Sequence, residues 1–143
     1  MSVNGRYRLF VLCLSFLLQA CVGGQPPKEL LALTDAQMKI RSFQIRAFDL
    51  KDQNKVLRSV VASLQDLGFI IERANGPMGL VTAGKFGPGG RGFVELTVTV
   101  RAKGEKQTEV RVNAIFNSKP IEDPKIYQNF FIAVERSLFA TRG

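Results

Sequence analysis

The sequence contains no histidine and only two cysteines, Cys13 and Cys21. Without imidazole there is no His-based zinc site, no Ser-His-Asp or Cys-His nucleophile and no histidine general acid or base. Acidic residues are the minority, 12 against 20 basic, for a formal charge of +8. The apolar run Leu9 to Leu18 covers about half of the roughly twenty residues that a membrane-spanning helix requires. What remains is ordinary for one folded domain: 143 residues, 45% hydrophobic and 22% charged, with neither the composition of a disordered chain nor that of a membrane protein.

The N-terminus reads as an export signal. Met1 to Arg8 carries Arg6 and Arg8 with no acidic residue, and the apolar run follows directly, which is the charged-then-apolar order of a secretory leader. Leu18-Gln19-Ala20-Cys21 comes next. It resembles a lipobox, the motif of bacterial lipoproteins, with an aliphatic residue three before the cysteine and a small one just before it. The resemblance implies cleavage after Ala20 and lipidation of Cys21. Two or three acyl chains, at roughly 0.8 kcal/mol per buried methylene, hold a protein stably on a membrane. Cys13 leaves with the leader, so Cys21 has no disulfide partner in the mature chain. Val22, where an inner-membrane lipoprotein usually carries Asp, implies sorting to the periplasmic side of the outer membrane of a Gram-negative cell. Losing Arg6 and Arg8 takes two of the 20 basic residues and leaves 18 against 12 acidic, +6 net.

The chain then divides into a leader at 1–20, a tether at 21–38 and a periplasmic domain at 39–143. Gly23-Gly24-Gln25-Pro26-Pro27 has turn formers and no apolar period, as a tether does. Leu30 to Met38 can form a short helical turn. From Ser42 to Phe48 the alternation of Phe43, Ile45 and Ala47 with polar neighbours predicts a strand with those three inward. Asp49 or Asp52 caps a helix whose stripe is Val56, Leu57, Val60, Val61, Leu64 and Leu67, ended by Gly68. Strands follow at Phe69 to Ala74 and Leu80 to Phe86, separated by the turn Asn75-Gly76-Pro77. After the glycine-rich loop 87–92, Val94 to Arg101 and Val110 to Asn117 form a hairpin about Lys103-Gly104-Glu105-Lys106. Asp123-Pro124 starts a last helix with the stripe Ile126, Tyr127, Phe130, Phe131, Val134 and Leu138. The order β-α-β-β-β-β-α predicts an α+β two-layer sandwich, an antiparallel sheet with two helices on one face.

No catalytic constellation, metal site, cofactor site or nucleotide site is expected. Glu122 with Asp123, or Glu95 with Glu109 across the hairpin, are the available carboxylate pairs, but Asp123 has a capping role and the glutamates face solvent beside Arg101 and Arg111. The glycine-rich loop lacks the Gly-Lys-Ser/Thr ending of a P-loop and precedes a strand rather than a helix. Arg46, Arg101 and Arg111 interleave with Glu72, Glu95 and Glu109 on the polar sheet face, so no basic stripe for nucleic acid forms. Lys85, Arg91, Lys103, Lys106, Lys119 and Lys125 carry the excess charge, suited to anionic headgroups or an acidic partner, or to solubility alone. The candidate contact surface is Lys85, Phe86, Arg91 and Phe93 about the loop, with Phe139 on the last helix, placed off its apolar stripe.

With these elements assembled, the chain resembles small outer-membrane lipoproteins with compact α+β domains. Leu64-Gln65-Asp66-Leu67-Gly68-Phe69 and Gly79-Leu80-Val81-Thr82-Ala83 look like segments of such families. The architecture over about residues 40 to 140 is also similar to the helix-grip domains found in a lipoprotein of the outer-membrane β-barrel assembly machinery. The likeness implies a fold and carries over no functional residue. The expected function is a non-enzymatic accessory or binding subunit of a cell-envelope assembly, transport or secretion complex, with other envelope proteins as partners. The alternative is a lipoprotein that binds an envelope lipid or glycan itself. An enclosed pocket between helices and sheet favours the alternative, and a flat surface with exposed apolar residues favours the first.

Overall fold

A computed structural model describes residues 33–140. The predicted leader, Cys21 and most of the predicted tether lie outside the described residues. The described chain is an α+β sandwich of three helices and a six-stranded antiparallel sheet. The elements are α1 (Asp35–Gln44), β1 (Ile45–Phe48), α2 (Gln53–Asp66), β2 (Ile70–Asn75), β3 (Leu80–Phe86), β4 (Phe93–Lys103), β5 (Gln107–Phe116), β6 (Lys119–Pro120) and α3 (Pro124–Ala140).

Helix α1 corrects the N-terminal part of the sequence reading. Thr34 and Gln37 form a reciprocal capping box, each side chain accepting from the other's backbone N–H, which satisfies two of the donors a helix start leaves open. The helix passes through residues 38 and 39, where the tether was divided from the domain, and takes Ser42 to Gln44 out of the predicted first strand. The short strand that follows has the opposite phase. Arg46 pairs across the ladder with the buried Val110, and Phe48 with the buried Thr108, so Gln44, Arg46 and Phe48 face the helices and Ala47 is exposed. Partners on α3 reverse the simple pattern. The Gln44 amide donates to the Tyr127 hydroxyl at 3.3 Å. Arg46 donates to Glu135 at 2.9 Å and lies 4.7 Å from the Phe131 ring centroid. Inward polar side chains are tolerable when each finds such a partner.

Helix α2 follows its stripe, burying Val56, Leu57, Val60 and Leu64. The Asp52 carboxylate accepts from Lys55 N–H at 2.9 Å. Gly68, at φ +80°, closes the other end, with its N–H on the Gln65 carbonyl and the Phe69 N–H on that of Leu64, the hydrogen-bond pattern of a left-handed helix stop.

The sheet order is β1-β5-β4-β3-β2, with the two-residue β6 also on β5. Strands β1 and β6 pair with different stretches of β5, at Thr108 to Arg111 and at Ile115 to Phe116. Since β4 occupies one side of β5 along its length, β1 and β6 share the other. At the far edge, β2 carries an irregularity between Ile71 and Arg73 that puts Glu72 out of register. Val81, Ala83, Leu96, Val98, Val100, Val110, Val112 and Ala114 are the buried face of the sheet, packed with Tyr127, Phe130, Phe131, Val134 and Leu138 of α3 and the stripe of α2. The opposite sheet face is uncovered by any described helix.

Candidate functional site

The alternation of β3 to β5 determines what the uncovered face presents. Thr97, Thr99 and Arg101 of β4 lie beside Asn113, Arg111 and Glu109 of β5 and line a shallow concavity of about 400 Å³. Its charges are mixed, and the Glu109 carboxylate pairs with Lys103 at 3.3 Å. Glu95 and Glu109 do not form a carboxylate pair. Glu95 lies opposite Ile115 and Glu109 opposite Arg101, six residues away along β4, about 20 Å at strand rise. Asp123 accepts from the Lys125 N–H at 2.9 Å, which commits it to the start of α3. Among the described residues no cluster of three or more His, Cys, Asp or Glu could hold a metal ion.

The other end of the uncovered face carries an aromatic pair, with the Glu72 and Glu95 side chains beside it. Phe86 pairs with Phe93 across β3 and β4, their rings edge-to-face with centroids 5.2 Å apart. Beneath them is Gly84, where an added Cβ would overlap the Phe93 ring; the missing side chain is the space the ring occupies. Asn117 fixes the start of β4 from two sides. Its side-chain carbonyl accepts from Phe93 N–H at 2.9 Å, and its own N–H donates to the Phe93 carbonyl at 3.1 Å. Ile70 lies opposite Gly84 and Ile115 opposite Glu95, on the same face. Phe86 is 66% exposed and Ile70 71%.

The contact surface read from sequence is thus separated into parts. Phe86 and Phe93 meet. Lys85, one residue before Phe86 in the same strand, points to the helix side, as successive strand residues must, and donates to the Leu67 carbonyl at 2.7 Å. Arg91 is exposed at the end of a short 3-10 turn, Pro88–Gly90. That loop is closed rather than open, with the Gly87 N–H on the Gly92 carbonyl at 3.0 Å. Phe139, 63% exposed, stands at the far end of α3. It is thirteen residues, about 20 Å along the helix, from Ile126, which lies near Lys85, and its own neighbours are Phe48 to Leu50, so it shares no surface with the loop. Arg46 leaves the polar face altogether for α3. Glu72, by contrast, does stand on the uncovered face, its carboxylate beside Gly84. Ile70 and Ile115 were missed; their signal was the strand alternation itself, once the uncovered face is known.

No described helix is long and apolar enough to cross a membrane. No model of a known protein family matches the chain, and no curated protein does.

Proposed function

We propose that the protein is a non-catalytic binding subunit of a cell-envelope complex, tethered to the periplasmic side of the outer membrane through lipid on Cys21 and docking a partner protein on the aromatic end of its uncovered sheet face. The observation that carries this reading is the Phe86–Phe93 pair flanked by Ile70. An exposed aromatic such as Phe86, braced by the partly buried Phe93 on a rigid strand pair, loses little freedom on binding, and such anchors dominate the energetics of protein interfaces. The polar concavity alongside supplies hydrogen-bonding rim. The leader and the Leu18-Gln19-Ala20-Cys21 motif support the location.

The test places a photo-crosslinking side chain at position 86 of the full chain in cells of its source. A discrete crosslinked envelope protein is expected, and none from the same probe at Arg58 on α2. Phe86→Asp is expected to weaken capture of that protein by about 5- to 30-fold, the loss of an interface anchor worth roughly 1 to 2 kcal/mol, with the melting temperature nearly unchanged because the side chain is exposed. Equal crosslinking from both positions, or full capture by Phe86→Asp, would remove this docking surface.

A further inference from the structure

On the helix side of the sheet, where the C-terminal end of α2 and the first turns of α3 diverge, there is a second feature that the docking surface does not use. Leu67 and Phe69 after α2, Val94 and Leu96 on β4, and Ile126 and Phe130 on α3 wall a cleft of about 190 Å³. Among the described residues, its only charged lining side chain is Lys85. The tyrosine in the lining, Tyr127, already donates its hydroxyl proton to the Ile121 carbonyl, and the one amide, Asn129, is exposed, so the buried walls are otherwise hydrocarbon. We propose that this cleft holds the hydrocarbon tail of a single-chain fatty acid, with the Lys85 ammonium binding its carboxylate.

The cleft's size restricts the ligand. Small-molecule pockets usually measure roughly 300–1,000 Å³, so this one admits the end of one chain and excludes a two-chain phospholipid. Apolar walls select hydrocarbon, and Ile126, 42% exposed in the first turn of α3, is the surface such a chain would cover. Lys85 selects the headgroup. Its stem runs along the apolar rim while its Nζ is fixed 2.7 Å from the Leu67 carbonyl and 5.5 Å from the Phe69 ring centroid, an arrangement in which a long cation covers apolar surface and keeps its charge in water. An ammonium has three donors, and the Leu67 carbonyl takes one. Two are left for a charge-assisted hydrogen bond to a monoanion. One cation at the mouth matches one carboxylate, and it disfavours an ammonium-headed amphiphile with the same tail.

Each methylene buried in such a cleft strengthens binding by about fourfold, so affinity is expected to climb from butanoate to octanoate and then level off when the tail exceeds the space. The experiment uses the full chain in zwitterionic phosphatidylcholine nanodiscs, photolabelled with a diazirine derivative of octanoate and mapped by mass spectrometry. Label is expected on the segments 67–69 and 126–130, displaced by octanoate and not by octyltrimethylammonium. Two surface variants make the result decisive without threatening the fold: Ile126→Asp should abolish labelling of the cleft, and Lys85→Glu should reverse the competition so that octyltrimethylammonium displaces better. Label scattered over other segments, equal competition by the two amphiphiles, or a Lys85→Glu protein with unchanged preference would each overturn the proposal.

Discussion

Replacing Phe131 by alanine is expected to lower the unfolding free energy by about 3–5 kcal/mol, the usual range for deleting a buried phenylalanine ring. The ring is almost fully buried near the middle of α3. It packs edge-to-face against Phe130, with centroids 5.2 Å apart, and carries the Arg46 guanidinium 4.7 Å from its centre. Truncation therefore empties space between helix and sheet and also removes the surface against which Arg46 lies. With typical domain stabilities of roughly 5–15 kcal/mol, this is a large fraction of the total. A urea titration of the variant beside the unaltered protein measures it. A midpoint that does not move would mean that α3 is not seated on the sheet through this ring. Arg46→Met, in contrast, is expected to cost about 1 kcal/mol or less, since the Arg46–Glu135 ion pair is partly exposed and such pairs contribute little.

Gly79→Ala is expected to be comparably damaging for a backbone reason. Gly79 ends the turn between β2 and β3 with φ +61°, and a Cβ built there would overlap the Val100 carbonyl oxygen. That carbonyl accepts from the Gln53 side chain at 2.7 Å, and the Val100 N–H donates to the Gly79 carbonyl at 2.7 Å. One residue thus joins the turn, a central strand and the first residue of α2, and none of them can withdraw without breaking a hydrogen bond. A left-handed non-glycine residue costs about 1–3 kcal/mol by itself, and overpacking costs about as much again, so a loss of at least about 2 kcal/mol is expected. Gly76→Ala supplies the control. Gly76 has open space around its Cβ position and no positive φ, and its midpoint should barely change. If both substitutions behave alike, the close approach at Val100 is not present in solution.

The parts of the fold legible in the sequence are those whose pattern is local and one-sided. The stripe of α2, the alternating hairpin β4–β5 and the Asp123-Pro124 start of α3 each follow from neighbours a few residues apart. The first strand was legible as a strand but not in phase. Period-two alternation allows two faces, and here the choice is made by Tyr127 and Glu135, whose partners Gln44 and Arg46 lie 83 and 89 residues earlier in the chain. Helix α1 was only partly visible, because its capping box uses Thr34 and Gln37 while most of its turns carry no strong apolar stripe. At the candidate site, grouping Lys85 with Phe86 overlooked that adjacent residues of a strand point to opposite sides. The apolar cleft was not legible at all, since its lining comes from β3, β4, β5, α3 and the segment after α2, and no single segment signals it.

The two edges of the sheet differ in how they would receive another chain. Exposed strand edges are templates for unwanted pairing between molecules. On one side, β1 and β6 cover separate stretches of β5, Thr108 to Arg111 and Ile115 to Phe116, and both are short; β6 ends in Pro120, which has no N–H to offer a newcomer. On the other side, β2 interrupts its own ladder at Glu72, and bulged strands twist away from regular pairing. A protein at high concentration would meet constant opportunities for edge-to-edge association between its own copies. This sheet resists them by brevity and proline at one margin and by a misaligned, charged strand at the other, which leaves side-chain recognition on its broad face as the favoured mode of contact.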